Sequence, residues 1–502
     1  MWAAYHNDRT ITTLDAVLGL TLQIRRCRNP ACLHVHHPHR PEHEGRLALP
    51  KHEFGLDVIA FVGQQRYGHH RSVPEIHQTL VERHVAVAPR TVTHLLERYD
   101  ELVALSLQDT TRLHRITHIR GRIILALDGL QPEVGHEVLW VLRDCLSGEV
   151  LLARSLLSAT HDDLALLVQE VQQALPVPIV GVITDGQPSI RAAMAQALPG
   201  VPHPLCQFHY LREAAKPISE ADRHAKKILK KRVRGVRPLE RQVEGRTDPE
   251  AEVVRGYCSA VRSALTDDGP PPLAAAGLTL HDRLTAIADS LERVGKKGAL
   301  PQALGRLKTI LRRGLDTTAA LWPDVRVAYG WVHRAAHVLN NDQDGAAVVK
   351  RRLRGLLGAM TRHRAKAGAL TAAVDHFLKV SRSYWPGLFP CYSIPALPRT
   401  NNELEQFFGA HRCHERRTTG RKGATPGLVL RGAVRLVAWA ATRLRPFASE
   451  DLVPDTVSAW QELRHALESR RHQRTQRRRF RRAPAAYLAT LEADLLKLIL
   501  PP

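Results

Sequence analysis

Cysteine, aromatic residues and long apolar runs are scarce in this sequence, and each scarcity excludes a class of protein. Seven cysteines in 502 residues are too few, and odd in number, for a disulfide-stapled secreted fold, so we expect reduced thiols and a cytoplasmic location. No apolar run approaches the roughly 20 residues that cross a bilayer. The N-terminus also lacks the basic stretch that precedes the apolar part of a signal peptide. A soluble protein without a membrane partner is therefore expected.

Negative charge is also in short supply. The chain has 72 Lys and Arg residues against 49 Asp and Glu, which gives a formal net charge of +23 and a pI of about 10.2. Such an excess indicates a polyanionic partner, and nucleic acid is the commonest. The alternative is a basic surface that serves only solubility. The length predicts about three domains.

The first 50 residues contain a segment dense in Cys, His and Arg. Cys27, Cys32 and His36, with His34 or His39 as a further ligand, are residue types that bind zinc. The spacing of four residues between the cysteines is at the edge of the usual range, and no second CxxC pair follows. A basic, His-rich surface loop with two ordinary thiols is the alternative.

Residues 51–110 predict a helix-turn-helix DNA-binding domain. Helices are expected at 74–84 and 89–103, because Pro74 and Pro89 each stand in a first turn ahead of an amphipathic pattern. The second helix would lie in the major groove of DNA. Its polar positions, which we expect to contact DNA, are Arg90, Thr91, Thr93, His94 and Arg98. An ordinary three-helix bundle is the alternative.

The rest of the chain predicts an α/β core interrupted by helices. Residues 120–215 contain the apolar runs RIILALD, EVLWVLRD, EVLLARSL and PIVGVITD, the middle two forming a hairpin in a mixed sheet. Residues 216–380 have helical periodicity throughout, and 381–445 read as an extended, proline-rich stretch followed by helices. Residues 446–502 form a basic helical tail. Its arginine-dense part, 464–482, is either a nucleic-acid contact or a solvated run of charge.

Three carboxylates stand out in this arrangement. Asp128 in LALDG and Asp185 in VITDG each end an apolar strand, and Glu405 lies in TNNELEQFF at the start of a helix. Strand ends are where α/β sheets bind ligands, and clustered carboxylates suit Mg²⁺ or Mn²⁺. The alternatives are an Asp-Gly turn for each aspartate and a capping box with Asn402 for Glu405.

These motifs resemble the catalytic core of RNase H-like DDE transposases, in particular the Mutator-like branch and related bacterial insertion sequences. The resemblance covers roughly residues 120–440 and includes Cys206-x2-His209 and a helical insertion, with Glu405 220 residues after Asp185. It implies an RNase H-like mixed-sheet core, with Asp128, Asp185 and Glu405 as the catalytic metal ligands. Cys206, His209 and Asn402 would support that site.

The resemblance also implies an activity and partners. Such an enzyme binds the terminal inverted repeats of its element, cleaves phosphodiesters with two metal ions and joins 3′-hydroxyl ends to target DNA. It would assemble as a homo-oligomer on DNA at the bacterial nucleoid. The residues after Glu405 that would contact phosphates are His411, Arg412, Arg416, Arg417, Arg421 and Lys422.

Two alternatives remain open on the sequence. One is a catalytically inactive DNA-binding protein derived from a transposase, and the other is a structure-specific nuclease on the same fold. The presence of all three carboxylates argues against the first. The long helical insertion and the separate DNA-reading region argue against the second.

Overall fold

A computed structural model describes residues 2–107, 110–131, 137–157, 159–422 and 426–499. The chain divides into two compact units, and neither is a single continuous segment. Unit 1 comprises Met1–Val182, Pro188–Val201 and Asn402–Pro502, and unit 2 comprises Ile183–Gln187 and Pro202–Asn401. The mixed α/β class with a large all-helical part is therefore confirmed.

Unit 1 begins with a small antiparallel sheet, which the sequence analysis did not predict. Its order is β1-β2-β3, and apolar side chains of β2 point inward at every second residue, as Leu22 and Ile24 do. The strands are β1 (Trp2–Thr12), β2 (Val17–Arg26) and β3 (Pro38–His39).

Five helices follow in unit 1. Ser72 and Glu75 form a reciprocal capping box that begins the third of these helices. A π-helical turn, Gln64–Gly68, separates the second from the third. The helices are α1 (Glu42–Leu47), α2 (Leu56–Gly63), α3 (Val73–Glu82), α4 (Pro89–Leu107) and α5 (Thr110–His118).

A four-stranded sheet forms the centre of unit 1. Its strands are β4 (Ile123–Leu130), β5 (Val138–Asp144), β6 (Val150–Leu156) and β7 (Ile179–Ile183), in the order β6-β5-β4-β7. The predicted hairpin is confirmed, since β5 and β6 pair antiparallel. β4 is a central strand, and its residues from Ile123 to Leu127 are all buried.

Helices cover both faces of this sheet. α6 (His161–Ala174) and α7 (Pro188–Ala197) pack on one face, where Leu164 and Val168 meet Leu125 and Leu127. α17 (Asn402–Thr419) contacts β4, and α18 (Pro426–Leu444) contacts β6 and α4. The chain ends in α19 (Val457–Arg482) and α20 (Pro484–Ile499).

Unit 2 is helical and has one continuous apolar core. Its helices, in chain order, are α8 (Gln207–Ala214), α9 (Lys216–Arg232), α10 (Val236–Arg241), α11 (Pro249–Thr266), α12 (Ala276–Gly295), α13 (Gln302–Thr318), α14 (Trp322–Leu339), α15 (Ala346–His363) and α16 (Thr371–Tyr384).

The segment from 381 onwards was expected to be extended, and this was wrong. It continues α16 to Tyr384 and then makes two short 3-10 turns, Trp385–Gly387 and Pro390–Tyr392. Proline in the first turn of each is compatible with this geometry, since the fixed φ of proline suits the start of a helical turn.

Candidate functional site

Asp128 lies near the end of the central strand β4. Successive side chains of a strand point to opposite faces. Because Leu125 and Leu127 pack against α6, Ala126 and Asp128 face the other side of the sheet. The Asp128 side chain is half-buried, and its Oδ1 accepts a hydrogen bond of 2.8 Å from the Gly129 amide.

The same face of the sheet is covered by the first turns of α17. Arg143 of β5 pairs with Ala126 of β4, so its side chain shares the face of Asp128. Its Nη1 lies 3.6 Å from Oε2 of Glu403, and its guanidinium lies 5.7 Å from the ring centroid of Phe407. Arg143, which the sequence analysis did not single out, therefore contacts the first turns of α17 from the sheet.

Glu405 lies in the first turn of α17, between its buried and exposed sides. Leu404 and Phe408 are buried, the Glu403 side chain is 73% exposed, and Glu405 is half-buried. Since α17 contacts β4, the structure brings the helix of Glu405 onto the face of the sheet that carries Asp128. α17 begins at Asn402, so the N-cap position of this helix is Asn401 and not Asn402, as the capping-box alternative had assumed.

Asp185 belongs to unit 2, in the loop that follows β7. Its Oδ1 accepts from the Gln187 amide at 2.9 Å, and its carbonyl accepts from the Tyr384 hydroxyl at 3.1 Å. Gly186 adopts a φ of +87°, and a Cβ there would lie 2.8 Å from the Tyr384 ring. The loop therefore requires glycine immediately after the aspartate.

Cys206 is fully buried and holds two segments of unit 2 together. Its amide donates to the Thr184 carbonyl at 2.8 Å, and its Sγ accepts from the Asn401 amide at 3.3 Å. Cys206 is thus tied to the residue that precedes Asp185 and to the residue that precedes α17. His209 lies half-buried one turn further along, on α8.

Cys27, Cys32 and His36 belong to one tightly turned loop. The His36 amide donates to the Cys27 carbonyl at 3.1 Å, and the Val35 amide donates to the Cys32 carbonyl at 3.0 Å. His36 has a φ of 62°, an uncommon conformation for a residue with a side chain. The backbone therefore places the three residues in one loop.

Across the ranges that the structure describes, no group of three His, Cys, Asp or Glu side chains is arranged to hold a metal ion. This applies both to the expected magnesium site and to the expected zinc site. The candidate residues of each site nevertheless carry donor atoms of the right type for the expected metal, so the magnesium site and the zinc site are kept as proposals.

The helix predicted to read DNA is α4, and among its residues of described burial the exposed ones lie in the first two turns. Arg90, Thr93 and His94 are exposed and Thr91 is half-buried. Beyond them α4 packs against α2, α18 and α19. The surface expected for base contacts is therefore limited to the start of the helix, which is the part that contacts bases in helix-turn-helix proteins.

The prediction that Arg98 of this helix contacts DNA was wrong. It is 4% exposed, and its Nη2 lies 3.0 Å from Oε1 of the fully buried Glu101. Arg98 follows Leu95 by three residues and precedes Leu102 by four, so it falls on the apolar face of α4. A side chain buried on the apolar face of α4 is not accessible to a DNA groove.

Most of the basic residues after Glu405 are on the surface. Arg417 forms an ion pair of 2.9 Å with Glu75 of α3. The exposed residues are Arg412, Arg416, Arg417, Arg421 and Lys422.

His411 was expected to contact phosphate, but it is fully buried against Trp439, with ring centroids 5.0 Å apart. Burial lowers its pKa to about 4, although Glu415 acts in the opposite direction. His414, one turn later, has its Nδ1 2.7 Å from Nδ1 of His70. Burial lowers the pKa of His414 to about 2. These histidines are core residues that the sequence analysis did not recognise as such.

Comparisons of the chain with protein-family models and with curated proteins give no match. None of the helices in the described ranges combines the length and apolar character needed to span a bilayer.

Proposed function

We propose that this protein is a metal-dependent DNA transposase with an RNase H-like catalytic core. The observation that carries the proposal is the contact of α17 with β4. It sets the helix of Glu405 on the face of the sheet to which Asp128 points. The helix that carries Glu405 thereby lies beside the strand that carries Asp128, as the resemblance to DDE transposases requires.

The order of elements gives further support. Three strands, a helix and a fourth strand follow one another in the chain, and the fourth strand, β7, is the neighbour of β4 in the sheet. Asp128 lies near the end of the first strand of this series, and Asp185 follows the fourth. This is the arrangement of motifs on which the RNase H-like assignment rests.

Asp128, Asp185 and Glu405 would together hold Mg²⁺ or Mn²⁺. Their carboxylate oxygens are the donors that these hard cations prefer, and all three side chains are half-buried rather than enclosed. When bound, such ions supply activation of the attacking oxygen and stabilisation of the leaving oxygen of a phosphodiester. Cys206 would fix the Asp185 loop through its bond to the Thr184 carbonyl.

The N-terminal loop would bind zinc through Cys27, Cys32 and His36. Thiolate and imidazole are the common zinc ligands, and the three residues belong to one short loop closed by backbone hydrogen bonds. A zinc ion there would have a structural role, close in sequence to the DNA-reading helices.

The exposed basic residues would bind DNA. The start of α4, with Arg90, Thr91, Thr93 and His94, would read the terminal inverted repeats. Arg412, Arg416, Arg417, Arg421 and Lys422 would contact the phosphates of the strand to be cut. The protein would act on DNA in the bacterial cytoplasm, as a homo-oligomer assembled on the element ends, and would join the 3′-hydroxyl ends to target DNA.

The test compares Asp128→Asn and Glu405→Gln with the parent on a duplex that carries the inverted repeats flanking the gene. Both variants should bind the duplex as the parent does, because DNA contacts come from other residues. Cleavage in Mg²⁺ should fall by about 10³-fold or more, since loss of several kcal/mol of transition-state stabilisation corresponds to that factor.

The matched control is Glu403→Gln on the same helical turn. Glu403 is mostly exposed and pairs with Arg143, so its substitution should leave cleavage within about threefold of the parent. If the parent binds the repeats but never cleaves them, the inactive DNA-binding alternative replaces the transposase. If Asp128→Asn cleaves at the parental rate, the catalytic assignment fails.

A further inference from the structure

A cavity of about 600 Å³ in unit 1 is lined by an unusual number of arginines. It lies between α4, α18 and α19, and seven arginines but only three carboxylates line it. It contains none of the three carboxylates assigned to the metal site. Three of these arginines, Arg98, Arg431 and Arg435, form ion pairs with Glu101 or Glu415 behind the lining. The remaining excess of guanidinium groups around the cavity favours an anionic occupant.

Buried guanidinium groups in this lining carry donors without acceptors. Nε and Nη1 of Arg98 have no hydrogen-bond partner within the described part of the chain, although the residue is 4% exposed. Nε of Arg66, which is 2% exposed, has none among the same residues. Buried polar atoms are normally paired, since an unmade bond costs about 1–3 kcal/mol. These donors therefore point to a ligand that accepts hydrogen bonds.

The arginine-dense helix α19 supplies the outer wall of the cavity. Arg471, Arg474 and Arg478 lie at helical spacing on the side that faces the cavity. Within the described ranges, Arg474 and Arg478 form no ion pair, and Nη1 of Arg474 is buried without a partner. Among the described residues, these two arginines therefore have no carboxylate that neutralises them.

A second cavity of about 280 Å³ is also lined by Arg474 and Arg478, so that the basic lining continues along α19. There Arg470 forms an ion pair with Glu137, while Arg477 and Arg481 extend the arginine row. The run of charge at 464–482 thus has one side that lines cavities and another that is solvated.

We propose that the cavity between α4, α18 and α19 is a phosphate-binding site. Guanidinium groups match the oxygens of phosphate with paired, charge-assisted hydrogen bonds, and the volume admits more than one phosphate group. The ligand is either the backbone of a nucleic acid or a free phosphate compound such as a polyphosphate. The site does not depend on the catalytic proposal, because it uses none of the carboxylates.

The test uses the full chain with two probes, a short fluorescein-labelled duplex of arbitrary sequence and inorganic pyrophosphate. The cavity variant is Arg474→Gln with Arg478→Gln. The matched control is Arg479→Gln with Arg482→Gln, which removes the same charge from α19 at residues outside both cavities. Thermal melting of each variant checks that it folds.

We expect the cavity variant to bind one probe about 100-fold more weakly than the parent, and the control variant to stay within about threefold. If the duplex is the affected probe, the slope of log affinity against log salt should fall by about 2, and the ligand is a nucleic-acid backbone. If pyrophosphate is the affected probe and the duplex is not, the ligand is a free phosphate compound.

Equal losses in the cavity and control variants with both probes, or no loss in either, would overturn the proposal. Should the double variant fail to fold, Arg474→Lys replaces it. Lysine retains the charge but not the paired geometry, so about a tenfold loss is expected, and no loss would refute the site.

Discussion

The buried histidine His411 makes the stability of unit 1 sensitive to acid. It lies against Trp439 with neither ring nitrogen hydrogen-bonded within the described residues. Burial lowers its pKa to about 4; Glu415 acts in the opposite direction, while the positive charges of Arg435 and Arg412 lower the pKa further. Methionine has a similar volume and carries no proton, so His411→Met should remove this sensitivity with little change in packing.

The magnitude follows from proton linkage. The pKa of His411 is about 4 in the folded protein, against the ordinary histidine value of 6.5. Between these values the unfolded chain binds more protons, so the free energy of unfolding falls as the pH falls. From about pH 7.5 to about pH 5 the loss from this group is about 2 kcal/mol, and below the folded pKa it levels off at about 3 kcal/mol.

Urea unfolding of parent and variant at these two pH values measures the effect. The variant should lose about 2 kcal/mol less than the parent over this interval. The control is His465→Met, which removes an exposed histidine on α19 and should leave the pH dependence unchanged. If His411→Met loses as much stability as the parent, His411 is not kept neutral by burial and the reasoning is refuted.

Two further predictions concern side chains that bind the first amides of a helix, Asp222 at the start of α12 and Ser72 at the start of α3. Asp222 of α9 is buried and accepts from the Gly277 and Leu278 amides at 2.7 and 2.9 Å. Asp222→Ala should therefore lower the free energy of unfolding of unit 2 by about 2–4 kcal/mol, measured by circular dichroism in urea; a loss below about 0.5 kcal/mol would contradict this. Ser72→Ala removes one half of the capping box with Glu75 and should cost about 1 kcal/mol by the same measurement, whereas an unchanged midpoint would show that the cap is dispensable.

Sequence periodicity predicted the strands of unit 1 well where both faces are buried. The run that ends at Asp128 is uniformly apolar, and such a run has few alternatives to a central strand. The first hairpin was missed although Leu20, Leu22 and Ile24 alternate with polar residues. A period of two is typical of a half-buried strand, and in the structure this segment is β2.

The candidate site was predictable in part. The sequence motifs singled out Asp128 and Glu405, but only the register of β4 against β5 shows which face of the sheet the Asp128 side chain uses. The prediction that Arg98 and His411 contact DNA followed from residue type and was wrong because of their helical positions. Both occupy the apolar side of their helices, and a charged or titratable side chain there is buried whatever its solution preference.

The division of the chain has a consequence for how such a protein can be cut or recombined. The backbone passes from one unit to the other at four points, and the five residues Ile183–Gln187 belong with the helices of unit 2. A gene fragment encoding Pro202–Asn401 would therefore lack part of its own unit, including Asp185. A deletion of that fragment would leave Asp185 behind without Cys206 and Tyr384. The helical region is thus not a cassette that can be gained or lost in one genetic event without altering the surroundings of this carboxylate.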